Sequence, residues 1–269
     1  MKNHIHFIAI LSCLLTSITC SAEISSEKVQ ELSDSLFIKK RLMAMVLISR
    51  REFNRFGPLS SITKKTYQVK KDIIEKIQPM PLYNEIIKTL KNDLTSDQAN
   101  ALIEYSKLEI HRKYLMKHLY LATDEGYKLG KKIANNFELG IFQPDDEKYK
   151  KITHIYKSSH HLELGFRSAF YYNWLTNVEF GKVYPQLEVS KEKFTKHFIE
   201  YRTSQYDDHL ENLMLKRYLS LESFSDQEIK EFNDNELTDS MVAFDTAFQT
   251  GYINFLSKLT DKPVPKYPY

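Results

Sequence analysis

The chain has 269 residues and is nearly balanced in charge, with 38 basic against 35 acidic side chains and a formal net charge of +3. So small a cationic excess displaces few of the counterions of a phosphate backbone, which argues against nucleic acid as a main partner. Its 7 Gly and 8 Pro are about half the ~12% of average usage, too few to turn a chain every ~8–12 residues as strand-rich folds require. The expected fold class is therefore all-α, with about seven helices in two similar halves packed together and no significant sheet.

Residues 1–22 read as a secretory signal peptide. Lys2 supplies the basic start, Ile5 to Ile18 is a short apolar run, and Cys20-Ser21-Ala22 offers small side chains for cleavage after Ala22. The run is shorter than the roughly 20 apolar residues of a membrane span. No later run comes close to that length, so no transmembrane segment is expected and the expected location is the periplasm. The alternative is a lipoprotein anchored through Cys20. Ser17 and Thr19 stand where an aliphatic and a smaller residue usually precede a lipidated cysteine, which weighs against it. Cys13 and Cys20 are the two cysteines, both inside the leader. The mature chain is expected to fold without disulfides, thiolate nucleophiles or Cys-ligated zinc.

A first mature helix is expected from Ser26 to the Gly57-Pro58 terminator, with Val29, Leu32, Leu36, Met43, Val46 and Leu47 as its apolar face. A second runs from Ser61 to Gln78 on Ile62, Val69, Ile73 and Ile77. Pro79 and Pro81 end it and start a short helix bearing Leu82, Ile86, Ile87 and Leu90. Thr95 and Gln98 fit a capping box. The long helix they open is expected to run through Leu102, Tyr105, Leu108, Leu115 and Leu119, past Gly126 and Gly130, to Gly140.

Gly140 to Asp146 then divides an N-terminal half, 23–143, from a C-terminal half, 144–260. The second half opens with a helix from Asp146 to Lys182, closed by Gly181 and Pro185. Another begins at Ser190 and carries Phe194, Phe198, Tyr201, Leu210 and Leu213 towards Leu219. Ser225 with Glu228 forms a second capping box, opening a last helix through Ile229, Phe232, Met241, Phe244, Phe248, Tyr252 and Phe255. Residues 261–269, with three prolines and two tyrosines, read as an extended tail.

The stretch from Leu94 to Tyr105, continuing to Lys113-Tyr114-Leu115, resembles the core of the DUF2059 family of secreted bacterial helical domains. Phe224 to Phe232 resembles the same opening, which implies one divergent copy in each half. The family breaks its helix after the aromatic residue at a small residue or proline. Here Leu108, Glu109 and Ile110 fill that place, and a straight helix is expected instead. The resemblance implies no activity, since the family has no established chemistry to lend.

Two groups of residues are candidates for a site. His154 and His161 are seven apart and share a helix face, and His160 lies three residues before Glu163. With a third ligand from another helix, His154 and His161 would form a zinc site, and His160 with Glu163 could serve likewise. The plain reading is an exposed polar patch. A His197/Glu200 pair reverses the order used in di-iron bundles and occurs once. The second group lies on the aromatic stretch from Phe166 to Phe180, where Phe166, Phe170 and Trp174 stack at four-residue steps. Trp174 with Arg167, Tyr171 and Tyr172 would suit a lipid, an aromatic compound or a peptide, while rings at helical spacing are ordinarily core. No Gly-x-Ser-x-Gly elbow, phosphate loop or His-Glu-x-x-His helix occurs in the sequence, and no cofactor is expected.

The reading that follows is a non-catalytic periplasmic binding or adaptor protein, whose partner is a protein or an apolar ligand held in a helical groove. An immunity-type inhibitor of a toxin is its specialised form. The rival is a metal-dependent periplasmic hydrolase using the histidine cluster.

Overall fold

The computed structural model describes residues 24–56, 64–121, 123–138, 147–152, 161–236 and 238–269. Among them every regular element is helical, so the fold is all-α. The elements are α1 (Ser26–Ser35), α2 (Ile38–Phe56), α3 (Lys64–Lys76), α4 (Pro79–Asp93), α5 (Ser96–Lys107), α6 (Glu109–Leu121), α7 (Asp124–Glu138), α8 (His161–Val183), α9 (Lys191–Leu221), α10 (Asp226–Glu236) and α11 (Asp239–Lys258). A 3₁₀ turn at Pro185–Leu187 separates α8 from α9, and residues 147–152 are helical. These eleven defined α-helices exceed the seven expected, because three of the long expected rods are broken. The expected leader 1–22 with Cys20, the Gly57-Pro58 terminator and the Gly140–Asp146 boundary lie outside the described residues.

Each break has a packing cause. The first expected helix splits at Phe37, whose φ of 51° is left-handed, a conformation costing about 1–2 kcal/mol for a residue with a Cβ. Leu36 and Ile38 are both buried. Two positions apart on a straight helix they would face nearly opposite ways, so the kink brings both inside.

The helix expected to run straight through Leu108 ends there instead, with Leu108 extended at φ −63°, ψ 133°. Before the break α5 packs on α1 and α11, and after it α6 packs on α9 and α10. One rod cannot reach both sets. A turn at Thr123 then folds α7 back on α6. The Thr123 hydroxyl donates to the Tyr120 carbonyl (2.7 Å) and accepts from the Gly126 N–H (3.1 Å). Gly126 is required by this turn, since a Cβ there would lie 2.0 Å from the Tyr120 carbonyl oxygen. The last expected helix is likewise interrupted, and Thr238 caps α11 by accepting from the Met241 N–H.

Local capping signals agree with the structure. Thr95 and Gln98 make both capping-box bonds, at 2.9 and 3.2 Å, and Ser225 and Glu228 make theirs at 2.7 and 3.3 Å. Ser190 caps α9. Ser25 rather than Ser26 caps α1.

The largest core joins α1 through α5 to α11, with Leu175 of α8 added from the side. It therefore draws on both 23–143 and 144–260. Its centre is the α4–α11 contact, where Gly251 lets two backbones approach so closely that a Cβ would sit 2.7 Å from the Ile86 Cα. Two smaller clusters flank it. One lies among α6, α9, α10 and residues 147–152, around Phe224 and Phe232. The other lies between α8, α9 and the C-terminal tail. Among the described residues no helix is long and apolar enough to cross a membrane.

Candidate functional site

Helix α8 carries rings on more than one face and is held from two sides. Leu175 anchors it in the main core, and Gln249 of α11 donates to the Ser168 hydroxyl at 2.9 Å and to the Leu164 carbonyl. Its other face meets α9, which returns after the 3₁₀ turn. Asn177 fixes that return, donating to the Val189 carbonyl (3.2 Å) and accepting from the Val189 N–H (3.3 Å). The rings then interlock. Phe170 meets Phe194 at 5.2 Å and Phe198 edge-on at 5.0 Å, and Trp174 meets Phe194 edge-on at 5.2 Å. Such geometries add to simple burial because ring edges and faces carry opposite partial charge.

The chain's own tail closes this cleft. Lys262, Val264 and Tyr267 each precede a proline, which drives them towards extended backbone. Residues 263–269 accordingly form no helix. Pro265 and Tyr267 are buried, and Lys266 between them is exposed. The Tyr267 ring, 7% exposed, stands edge-on to Phe170 at 5.4 Å and to Phe198 at 6.3 Å. Val264 packs on the same cluster. Ion pairs hold the approach, Asp261 to Lys182 at 3.2 Å and Lys262 to Glu188.

The mouth of the cleft is polar. Arg202 donates to Glu163 at 2.7 Å. Its guanidinium lies 4.0 Å from the Tyr269 ring, 5.3 Å from Phe166 and 6.0 Å from Tyr206. A cation enclosed by three ring faces and a carboxylate is well placed to read an aromatic residue. Burial, and then the neighbouring Glu163 carboxylate, push the Tyr267 phenol well above its ordinary range. That hydroxyl lies beside Glu163 and Arg202 without a hydrogen bond of good geometry, and so do the buried Glu163 Oε1 and Arg202 Nε atoms.

The ligand candidates read from the sequence are not gathered at one pocket. Trp174, 3% exposed, is the floor of the aromatic cluster. Tyr171 is half-buried, edge-on to Phe170 at 5.4 Å, and touches both this cluster and the main core. Tyr172 packs on the main core, where burial raises its phenol. Arg167 is half-buried. His154 and His160 lie outside the described residues, as does the His161 side chain at the start of α8. No group of three or more His, Cys, Asp or Glu side chains that could hold a metal occurs among the described residues. The residues missed are Arg202, Tyr206, Tyr267 and Tyr269, while the sequence marks Glu163 only as a neighbour of His160. The four-residue steps Phe198, Arg202, Tyr206 on α9 were the available signal.

A second polar cluster joins the two halves of the chain. Arg217 of α9 pairs with Glu236 of α10 at 3.2 Å, their side chains 2% and 8% exposed. Arg217 also covers Phe232 at 5.0 Å. Burial and then the Glu236 charge push the Tyr105 phenol far up. Tyr105 packs on His111 with ring centroids 4.2 Å apart. Burial, followed by the Arg41 charge, lowers His111 to about 4. Neither His111 nitrogen has a hydrogen-bond partner.

In comparisons with models of known families, with curated proteins and with solved structures, nothing matched the chain. Its class is therefore given by fold and site alone: an all-α protein with an aromatic cleft closed by an extended segment.

Proposed function

We propose that the chain is a non-catalytic helical binding protein of the periplasm, and that the α8–α9 cleft holds an extended stretch of another polypeptide. The observation that carries this reading is the seat of its own tail. Val264 and Tyr267 pack on the cleft's aromatic cluster while Lys266 stays exposed. Among the described residues no backbone-to-backbone hydrogen bond ties 263–269 down. Recognition therefore runs through side-chain pockets on a pre-extended backbone, as in polyproline-type peptide binding.

The test is a peptide-display selection on the full-length chain, repeated with Arg202→Gln. Arg202 is part-exposed at the mouth, so the variant is expected to fold. Extended peptides enriched by the wild type and lost with Arg202→Gln support the reading. No enrichment, or equal enrichment by both, contradicts it.

A further inference from the structure

Resting on that reading, we infer that the cleft selects a proline-flanked tyrosine in an extended segment, and that the tail is a tethered competitor which such a segment displaces. The apolar part of the cleft fixes the ring. Phe170 and Phe198 both present themselves edge-on to one planar side chain, at 5.4 and 6.3 Å. An aliphatic residue would forfeit those contacts. Flanking proline fits because the segment enters without backbone hydrogen bonds, with Pro268 half-buried directly after Tyr267 and Pro265 buried two residues before it. A second aromatic fits because Arg202 offers a cation 4.0 Å from the Tyr269 ring.

The polar end of the cleft says that the resident is an imperfect occupant. Tyr267 Oη, Glu163 Oε1 and Arg202 Nε are all buried there and lie close together, and none makes a hydrogen bond of good geometry. A phenol placed slightly differently would donate to Glu163, which a tail tethered at Asp261 and Lys262 does not achieve. What keeps the tail in place is tethering, which holds it at an effective concentration of about millimolar. A free segment with the same residues and better polar geometry overcomes that advantage.

The experiment uses the full-length chain and a fluorescent peptide of residues 261–269. Wild-type chain, Tyr267→Ala, and Tyr267→Ala combined with Arg202→Gln are titrated, with thermal melting followed in parallel. Tyr267→Ala vacates the ring pocket while leaving its walls, so it is expected to bind the peptide about tenfold or more tightly than wild type does. Bound peptide is expected to raise its melting temperature. Replacing both tyrosines of the peptide by Ala abolishes binding, and Arg202→Gln in the tail-loosened chain weakens it several-fold.

A folded Tyr267→Ala chain that ignores the peptide, or that takes the tyrosine-free peptide equally well, overturns the inference. So does a concentration-dependent wild-type dimer abolished by Tyr267→Ala, which would assign the cleft to a second copy's tail. Display-selected peptides lacking an aromatic–proline pattern would leave the cleft a polypeptide site and remove only this specificity.

Discussion

The α4–α11 contact and the α8–α9 cleft bury their side chains almost equally well, yet they are closed by different means. At the first, Ile86 is fully buried and Gly251 brings one helix backbone against the other. Exposing Ile86 means separating two helices. At the second, Tyr267 is buried to a similar degree, but the covering wall is a short helix-free run. Its ion pairs, Lys182 to Asp261 and Lys262 to Glu188, join partly exposed groups, a kind of pair worth about 0–1 kcal/mol. Burial records contact. The closing element decides what opening costs, and local opening energies range from near zero to the full stability of a fold.

Mutations sharpen that difference. Trp174→Ala removes the floor of the cleft and should cost about 3–5 kcal/mol, read from urea midpoints. Ile86→Ala should cost about 2–5 kcal/mol through the cavity it leaves between helices. Tyr267→Ala should cost only about 2 kcal/mol or less, because the tail departs and no sealed cavity forms. A Tyr267→Ala cost equal to that of Trp174→Ala would make the tail an integral part of the core. Lys262→Ala should change stability by less than about 1 kcal/mol.

Acid strains the main core rather than the cleft, because His111 packs on Tyr105, a member of that core. Folding holds His111 near 4, against about 6.5 when unfolded. The unfolded chain therefore takes up the proton first as pH falls. This contribution is complete above about pH 6.5 and is lost progressively towards pH 4, by about 3 kcal/mol at most. Denaturation across that window checks it, and His111→Phe should flatten the profile.

What the sequence made legible was local. The capping boxes at Thr95 and Ser225 involve residues three apart, and scarce Gly and Pro forbade a sheet wherever they fell. The breaks at Phe37, Leu108 and Thr238 were hidden because each is set by where the next helix must pack. Leu108 bends the chain so that α6 can reach α9 and α10, a demand no nearby residue announces. The site divides in the same way. Four-residue spacing put Phe166, Phe170 and Trp174 on one face, and all three are buried there. Spacing could not say that Tyr267, distant in the chain, would cover them, or that Tyr172 would turn to the other core.

The most direct test is fluorine NMR of full-length protein carrying fluorotyrosine at position 267. A single buried resonance is expected, moving to the solvent-exposed position as a millimolar proline–tyrosine peptide is added, while the helices stay folded. A Tyr267 signal that remains buried under peptide saturation, or shifts only when the whole chain unfolds, would contradict a removable occupant.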